Sequence, residues 1–204
     1  MSLAVKKRKK RGNRKGFTTG ACAAAAARAA MVGLVTGVVP DKIESLLPNG
    51  QRIRFAVIEG HCDEGQAHAV IIKDAGDDPD VTNKAHITAD LSLSNFHNHF
   101  ALRGGEGVGR VTMPGLGLEV GGPAINPVPR RNIEDNIREV GGELIAAHGI
   151  EVTISVPGGE KLAKRTLNGR LGIKDGISIL GTTGIVHPWS TAAFRASVVQ
   201  GIEV

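Results

Sequence analysis

Tyrosine is missing from the 204 residues, and five phenylalanines and one tryptophan are the only other aromatics. A core so poor in rings has to be filled by Val, Ile, Leu and Ala, which suits a branched-chain-rich sheet covered by helices. Cysteine is scarce as well. Cys22 and Cys62 stand in unrelated contexts, which excludes a disulfide framework and fits a reducing compartment. No Ser/His/Asp set and no His/Cys cluster with metal-ligand spacing is present, so neither a nucleophilic hydrolase nor a protein-bound metal is predicted. His97 and His99 have no third ligand beside them and read as surface residues. A long charge-free apolar run is also lacking. Residues 21–39 come nearest, but they are mostly Ala with Arg28 in the middle, and an arginine at a membrane centre costs roughly 2.5–3.5 kcal/mol on an insertion scale. The expectation is a cytoplasmic protein with no membrane partner.

Acidic residues are absent from the first 15 positions, which hold eight of the 25 Lys and Arg residues. The remainder carries 17 basic against 20 acidic residues, so the formal net charge of +5 reports a tail on a slightly acidic body. With no interleaved aromatics and no base-reading motif behind it, this segment is expected to be a disordered, solvated arm that binds no nucleic acid.

Glycine, by contrast, is abundant at 28. Thr18 or Thr19 can cap a helix that starts near Gly20 and ends at Gly37. Its alanines would let another backbone approach closely. Residues 43–47 and 52–58, separated by Pro48-Asn49-Gly50, read as a hairpin. Residues 66–73 read as a third strand, and residues 85–93 alternate as a half-buried strand does. Only residues 108–113 look regular in the Gly-rich stretch 103–122. Pro129 precedes a helical pattern over residues 130–148, weakened by Gly141 and Gly142 at roughly 1 kcal/mol each. Strands are predicted at 150–156 and 177–180, and a last helix over 190–199. Hairpins mixed with two crossover-like helices indicate an α+β layered domain over residues 16–175, followed by the start of a further α/β segment over residues 176–204.

Three polar strings carry the candidate chemistry. In Lys73-Asp74-Ala75-Gly76-Asp77-Asp78-Pro79-Asp80-Val81-Thr82 four carboxylates repel one another on a turn-forming loop. They need water, backbone donors, or a cation or cationic ligand against them. The spacing lacks the Gly and distal Glu of a calcium-binding loop. Gly181-Thr182-Thr183-Gly184 follows an apolar strand and could present N–H groups and hydroxyls to a ligand, or serve only as a tight turn. Asn126-Pro127-Val128-Pro129-Arg130 fixes two polar side chains around a rigid segment. There Arg130 could pair with a carboxylate arm of a ligand or with the acidic loop. Cys22, in the first turn of a helix, reads as a small buried residue among alanines.

These strings, with Gly16-Phe17-Thr18-Thr19-Gly20-Ala21-Cys22-Ala23-Ala24, Gly107-Val108-Gly109, Pro114-Gly115-Leu116, Arg170-Leu171-Gly172-Ile173 and Ser178-Ile179-Leu180 before the Gly181 loop, resemble the CbiD family in order from about Gly16 to about Ser190. The resemblance implies transfer of a methyl group from S-adenosylmethionine to C1 of cobalt-precorrin-5B, giving cobalt-precorrin-6A in anaerobic cobalamin synthesis. It also implies that the Asp74–Asp80 loop borders the active site and that Gly181–Gly184 faces a ligand. Because these strings and Asn126–Arg130 share no core periodicity, they are expected to converge on one cleft, with Thr18 and Thr19 as further binding candidates. No individual residue is marked as catalytic. Proteins of that family continue past the Gly181–Val186 string, so this chain is expected either to be truncated or to lack that part, and alone to bind the donor weakly or not at all and not to turn over. A non-catalytic tetrapyrrole- or metal-binding module built on the same loops is the alternative.

Overall fold

The computed structural model describes residues 12–190. The greater part of the basic arm and the helix expected over 190–199 lie outside the described residues. The elements in chain order are β1 (Gly16–Phe17), α1 (Thr19–Thr36), β2 (Lys42–Leu46), β3 (Arg52–Ala56), β4 (Glu59–Asp63), β5 (Gln66–Ile72), β6 (His86–Leu93), β7 (Phe100–Gly104), β8 (Arg110–Val111), α2 (Pro127–His148), β9 (Ile150–Ser155), α3 (Gly159–Ala163), β10 (Ile173–Lys174) and β11 (Ile185–Val186). This is the α+β class expected from the sequence.

The central sheet has the order β4-β5-β6-β9-β7, antiparallel except for the parallel β7–β9 pair. Alternation sends Ala67, Ala69, Ile71, Ile87, Ala89, Leu91, Val152 and Ile154 into the core. The intervening positions, such as His68, Asp90 and Thr153, fall on the more exposed face and pair across the strands. α1 packs on the buried face, against β5 and β6, and also lies against α2 and the β2–β3 hairpin. Its alanines from Ala21 to Ala30 are at most 1% exposed. Small side chains on the helix and at Ala67 and Ala89 allow this close approach, and dispersion between backbones replaces the bulk that aromatics would have supplied. By length and composition α1 could cross a membrane, but 72% of it is buried inside the protein.

The ends of α1 follow from local chemistry. Thr18 is extended and its Oγ1 accepts from Ala21 N–H at 3.1 Å, while Gly37, at φ 81°, closes the helix by donating to the Gly33 carbonyl. In α2 the prolines at Pro127 and Pro129 occupy the first turn, where a missing N–H costs little. A buried polar network then docks the hairpin. Asn136 Oδ1 accepts from Ser45 Oγ and Leu46 N–H, both at 3.0 Å, while Asn132 and Asn136 amides donate to the Leu46 carbonyl. Arg28 joins this network through the Asn136 carbonyl and Glu139. The residue that argued against a membrane span is thus an interhelical donor.

Several expectations shift. β4 and β7 were not visible in the pattern, because β4 is a polar edge and β7 lies next to the Gly-rich stretch. Regular pairing over 108–113 shrinks to the two residues of β8. The strand expected at 177–180 forms isolated bridges instead, Val108 with Ile177 and Ile125 with Ile179, because it is threaded between irregular segments.

The two adjacent glycines of α2 differ in role. Gly141 has a non-helical backbone (φ −121°, ψ 25°) at a kink, and a Cβ there would overlap the Met31 side chain, whereas nothing lies near a Cβ at Gly142. Gly141→Ala is therefore expected to destabilise the protein by about 1–3 kcal/mol through overpacking. Gly142→Ala is expected to stabilise it by roughly 0.5–1 kcal/mol through helix propensity. Urea denaturation of the two variants checks the opposite signs.

Candidate functional site

A cleft of about 640 Å³ opens where the N-termini of α1 and α2 meet the loop after β5. Thr18, Thr19 and Asn126 contribute from the helix starts, Lys73 and Pro79–Thr82 from the loop, and Leu116 and Leu118 from the Gly-rich stretch. Arg165–Asn168, Leu171, Ile173 and the segment around Ile177–Leu180 complete the wall. One side is therefore aliphatic, and the other carries two helix ends, an ion pair and an amide. Neither long helix has an acidic residue in its first turn, so neither macrodipole is neutralised from within its own first turn.

Each polar group is placed by a nameable interaction. Thr19 Oγ1 donates to the Ser178 carbonyl at 3.1 Å and accepts from Leu180 N–H at 2.9 Å. Gly20 N–H donates to the Leu180 carbonyl at 3.0 Å. The helix start is thereby stitched to a segment some 160 residues away. Asn126 precedes α2 in the capping position, yet its side chain makes no capping bond. Proline at the third helical position removes an N–H that a capping side chain would accept from. Its amide forms no other hydrogen bond among the described residues, and it faces the cleft.

The acidic loop is largely satisfied from within. Arg14 forks onto Asp74, with Nη2 to Oδ1 at 2.9 Å, and the Arg14 N–H donates to Asp77 at 2.7 Å. Asp78 accepts from Trp189 N–H at 3.0 Å. The guanidinium hydrogen bond holds the Asp74 carboxyl below its ordinary range, against partial burial. Asp80 differs from these three because it reaches the cleft. Its Oδ2 accepts from Lys73 Nζ at 2.6 Å, and its Oδ1 accepts from both the N–H and the hydroxyl of Thr82 at 2.6 Å. Burial pushes its pKa up, but Lys73 and Thr82 outweigh that and leave it lowered.

Of the residues singled out in the sequence, Thr18, Thr19, Asp80 and Asn126 come together on this cleft. Asp74, Asp77 and Asp78 do not line it; they hold residues 12–15 and the chain near Trp189 onto the loop. Arg130 opens onto a neighbouring recess of about 230 Å³ that shares Leu118 with the cleft, and it forms no ion pair among the described residues. Gly181 to Gly184 lie between the lining residues Leu180 and Val186 without lining the cleft themselves. Gly181, at φ 136°, has no room for a Cβ because Thr18 occupies the space, and Thr183 bonds locally with Ile185. This loop therefore closes against the α1 start, reinforced by the β1–β11 pairing. Lys73, Arg165 and Asn168 were missed. In the sequence Lys73 only flanks the acids, and nothing in sequence spacing marks a lysine as buried. Among the described residues no group of three or more His, Cys, Asp or Glu is arranged to hold a metal ion.

Fold and cleft together define an α+β protein with a cleft at two helix starts. The profile of the CbiD family matches residues 6–188. The chain belongs to this family. It is 68% identical over 198 residues to a cobalt-precorrin-5B C(1)-methyltransferase of Methylococcus capsulatus, covering 97% of the chain and 52% of the relative. A protein of the same name from Dechloromonas aromatica is 66% identical over 200 residues, covering 97% and 51%. The crystal structure of cobalamin biosynthesis protein (cbiD) from Archaeoglobus fulgidus superposes with a TM-score of 0.67 at 33% identity, covering 92% of this chain and 59% of that one. The chain thus spans about half the length of the curated relatives it matches.

Two outcomes test the electrostatics. Folding lowers the pKa of Asp80, so its stabilisation is present above the unfolded carboxylate value of about 3.9 and is lost as pH falls through the lower folded value. Asp80→Asn is expected to cost about 1–3 kcal/mol at pH 7, and the gap should close below about pH 4; urea curves over that range check it. Burial pushes the Cys22 thiol up to about 12, whereas Cys62 is partly exposed. At pH 8 a thiol reagent is expected to label the native protein at Cys62 alone and to label Cys22 only after denaturation, as peptide mapping would show.

Proposed function

We propose that this chain forms the ligand-binding portion of an S-adenosylmethionine-dependent methyltransferase acting at C1 of cobalt-precorrin-5B, in the cytoplasm. The observation that carries the reading is the cleft itself, bounded by two helix N-termini that lack first-turn acids and by an aliphatic wall, in a chain that matches relatives bearing that name. A flat macrocycle edged with carboxylate arms needs both an apolar face to lie on and positive ends to hold its rim. The cleft volume falls within the roughly 300–1,000 Å³ range of small-molecule sites.

The donor supplies an electrophilic methyl group, which passes to the electron-rich ring carbon while sulfur keeps the electron pair of the broken bond. Such an in-line displacement asks the protein mainly to hold reacting atoms about 3–3.5 Å apart. The cleft residues fit that demand. Leu116, Leu118, Leu171 and Ile173 would exclude water, the Asn126 amide would orient a polar ligand edge, and the Thr19 bonds keep the α1 end in place. Asp80 is held as a carboxylate by Lys73 and Thr82.

Asn126→Ala removes the free amide without breaking a described bond. It is expected to weaken binding of S-adenosylmethionine or of a carboxylated corrin by about tenfold, the scale of one polar contact, and to leave the melting temperature within a degree or two. Calorimetric titration of the 204-residue chain measures this, and an anaerobic methyl-transfer assay measures turnover. If the unaltered chain binds neither ligand, the reading fails. Unchanged affinity in the variant would remove Asn126 from the contact.

A further inference from the structure

We propose that Lys73 is the carboxylate anchor of the cleft: its buried ammonium, fixed on one side by Asp80, donates to a carboxylate of the bound ligand. This rests on the reading of the cleft as the methyltransferase site and adds the group that would decide which ligands it accepts. Lys73 is 1% exposed and still lines the cleft. An ammonium has three N–H bonds to give, yet among the described residues Asp80 Oδ2 is its one acceptor. Leaving donors of a buried cation unmet is expensive, and it is tolerated where something else completes the set. Lys73 lines the cleft, and a ligand held there would supply the missing acceptor.

The surroundings favour an anion at that point. Asp80 is already engaged on Oδ2 by Lys73 and on Oδ1 by both Thr82 donors, so its charge is largely spent within the loop. The α1 and α2 N-termini add positive potential, and Arg165, with no side-chain partner among the described residues, stands at the exposed rim. An amide in place of the ligand carboxylate would turn an N–H donor toward Lys73 or offer only a neutral oxygen. The anchor therefore discriminates acid from amide, because only the carboxylate adds charge–charge attraction to the ammonium bond, and that attraction is stronger away from bulk water.

A carboxylate could come from an arm of the macrocycle or from the amino-acid end of the methyl donor. Two probe pairs separate these sources. Cobyrinic acid, with carboxylate arms, is compared with cobinamide, whose arms end in amides. S-Adenosylmethionine is compared with its decarboxylated form. Each is titrated calorimetrically into the 204-residue chain. The acid of one pair is expected to bind at least tenfold more tightly than its counterpart, and that pair names the source. Lys73→Met alone would strand Asp80 in the interior, so the double variant Lys73→Met/Asp80→Asn, which removes both charges, is the test protein. It is expected to keep its melting temperature within a few degrees and to bind acid and uncharged form within about twofold of each other, while Lys73→Arg retains the preference. If the double variant keeps the original ratio, or if the unaltered chain shows no acid preference in either pair, Lys73 holds only the loop and the inference falls while the methyltransferase reading stands. If the unaltered chain binds none of the four probes, both fall.

Discussion

The close approach of α1 to its neighbours is the constraint on which the rest depends. A helix of alanines buries little surface per residue, at roughly 0.8 kcal/mol for each buried CH₂. It compensates by letting the sheet and α2 approach within backbone distance, over alanines that are almost fully buried. Because the helix axis is fixed in this way, Thr18 and Thr19 at its start reach the segment around Ser178 and Leu180, and the cleft opens between that start and α2. A larger side chain anywhere along the buried face would push these partners apart together.

Much of this was legible in the sequence, for reasons specific to each element. The threonines and Gly37 that bound α1 act through local capping chemistry, so spacing revealed them. Asn49-Gly50 fixed the hairpin and alternation marked β6. β4 stayed hidden because its residues face solvent at a sheet edge and carry no apolar period. The Asn132 and Asn136 network was invisible because a buried amide looks like any surface amide until its partners, some 90 residues away, are placed against it.

The candidate site was half legible, and the acidic loop shows why. Four carboxylates in seven residues suggested a ligand or cation facing them all, but three are consumed by Arg14 and by main-chain donors. Composition reports that charges must be answered; it does not say from where. The arginine that answers Asp74 belongs to the basic segment that composition assigned to solvent. Asn126 was visible because two prolines flag a fixed segment, and the same prolines release its side chain from capping.

The bonds that tie Thr19 and Gly20 to residues 178–180, and the pairing of Gly16 with Val186, bear on how the protein comes to exist in the cell. They join the beginning of the described chain to its end, across a loop of about 160 residues. Closing such a loop is entropically costly, and chains rich in distant contacts fold slowly. Synthesis also delivers α1 long before its partner. For the time a ribosome takes to add some 160 residues, the alanine face must wait without its cap of distant chain. Its modest hydrophobicity then becomes an asset, because an unpaired alanine helix offers far less to aggregation than a leucine helix of the same length would.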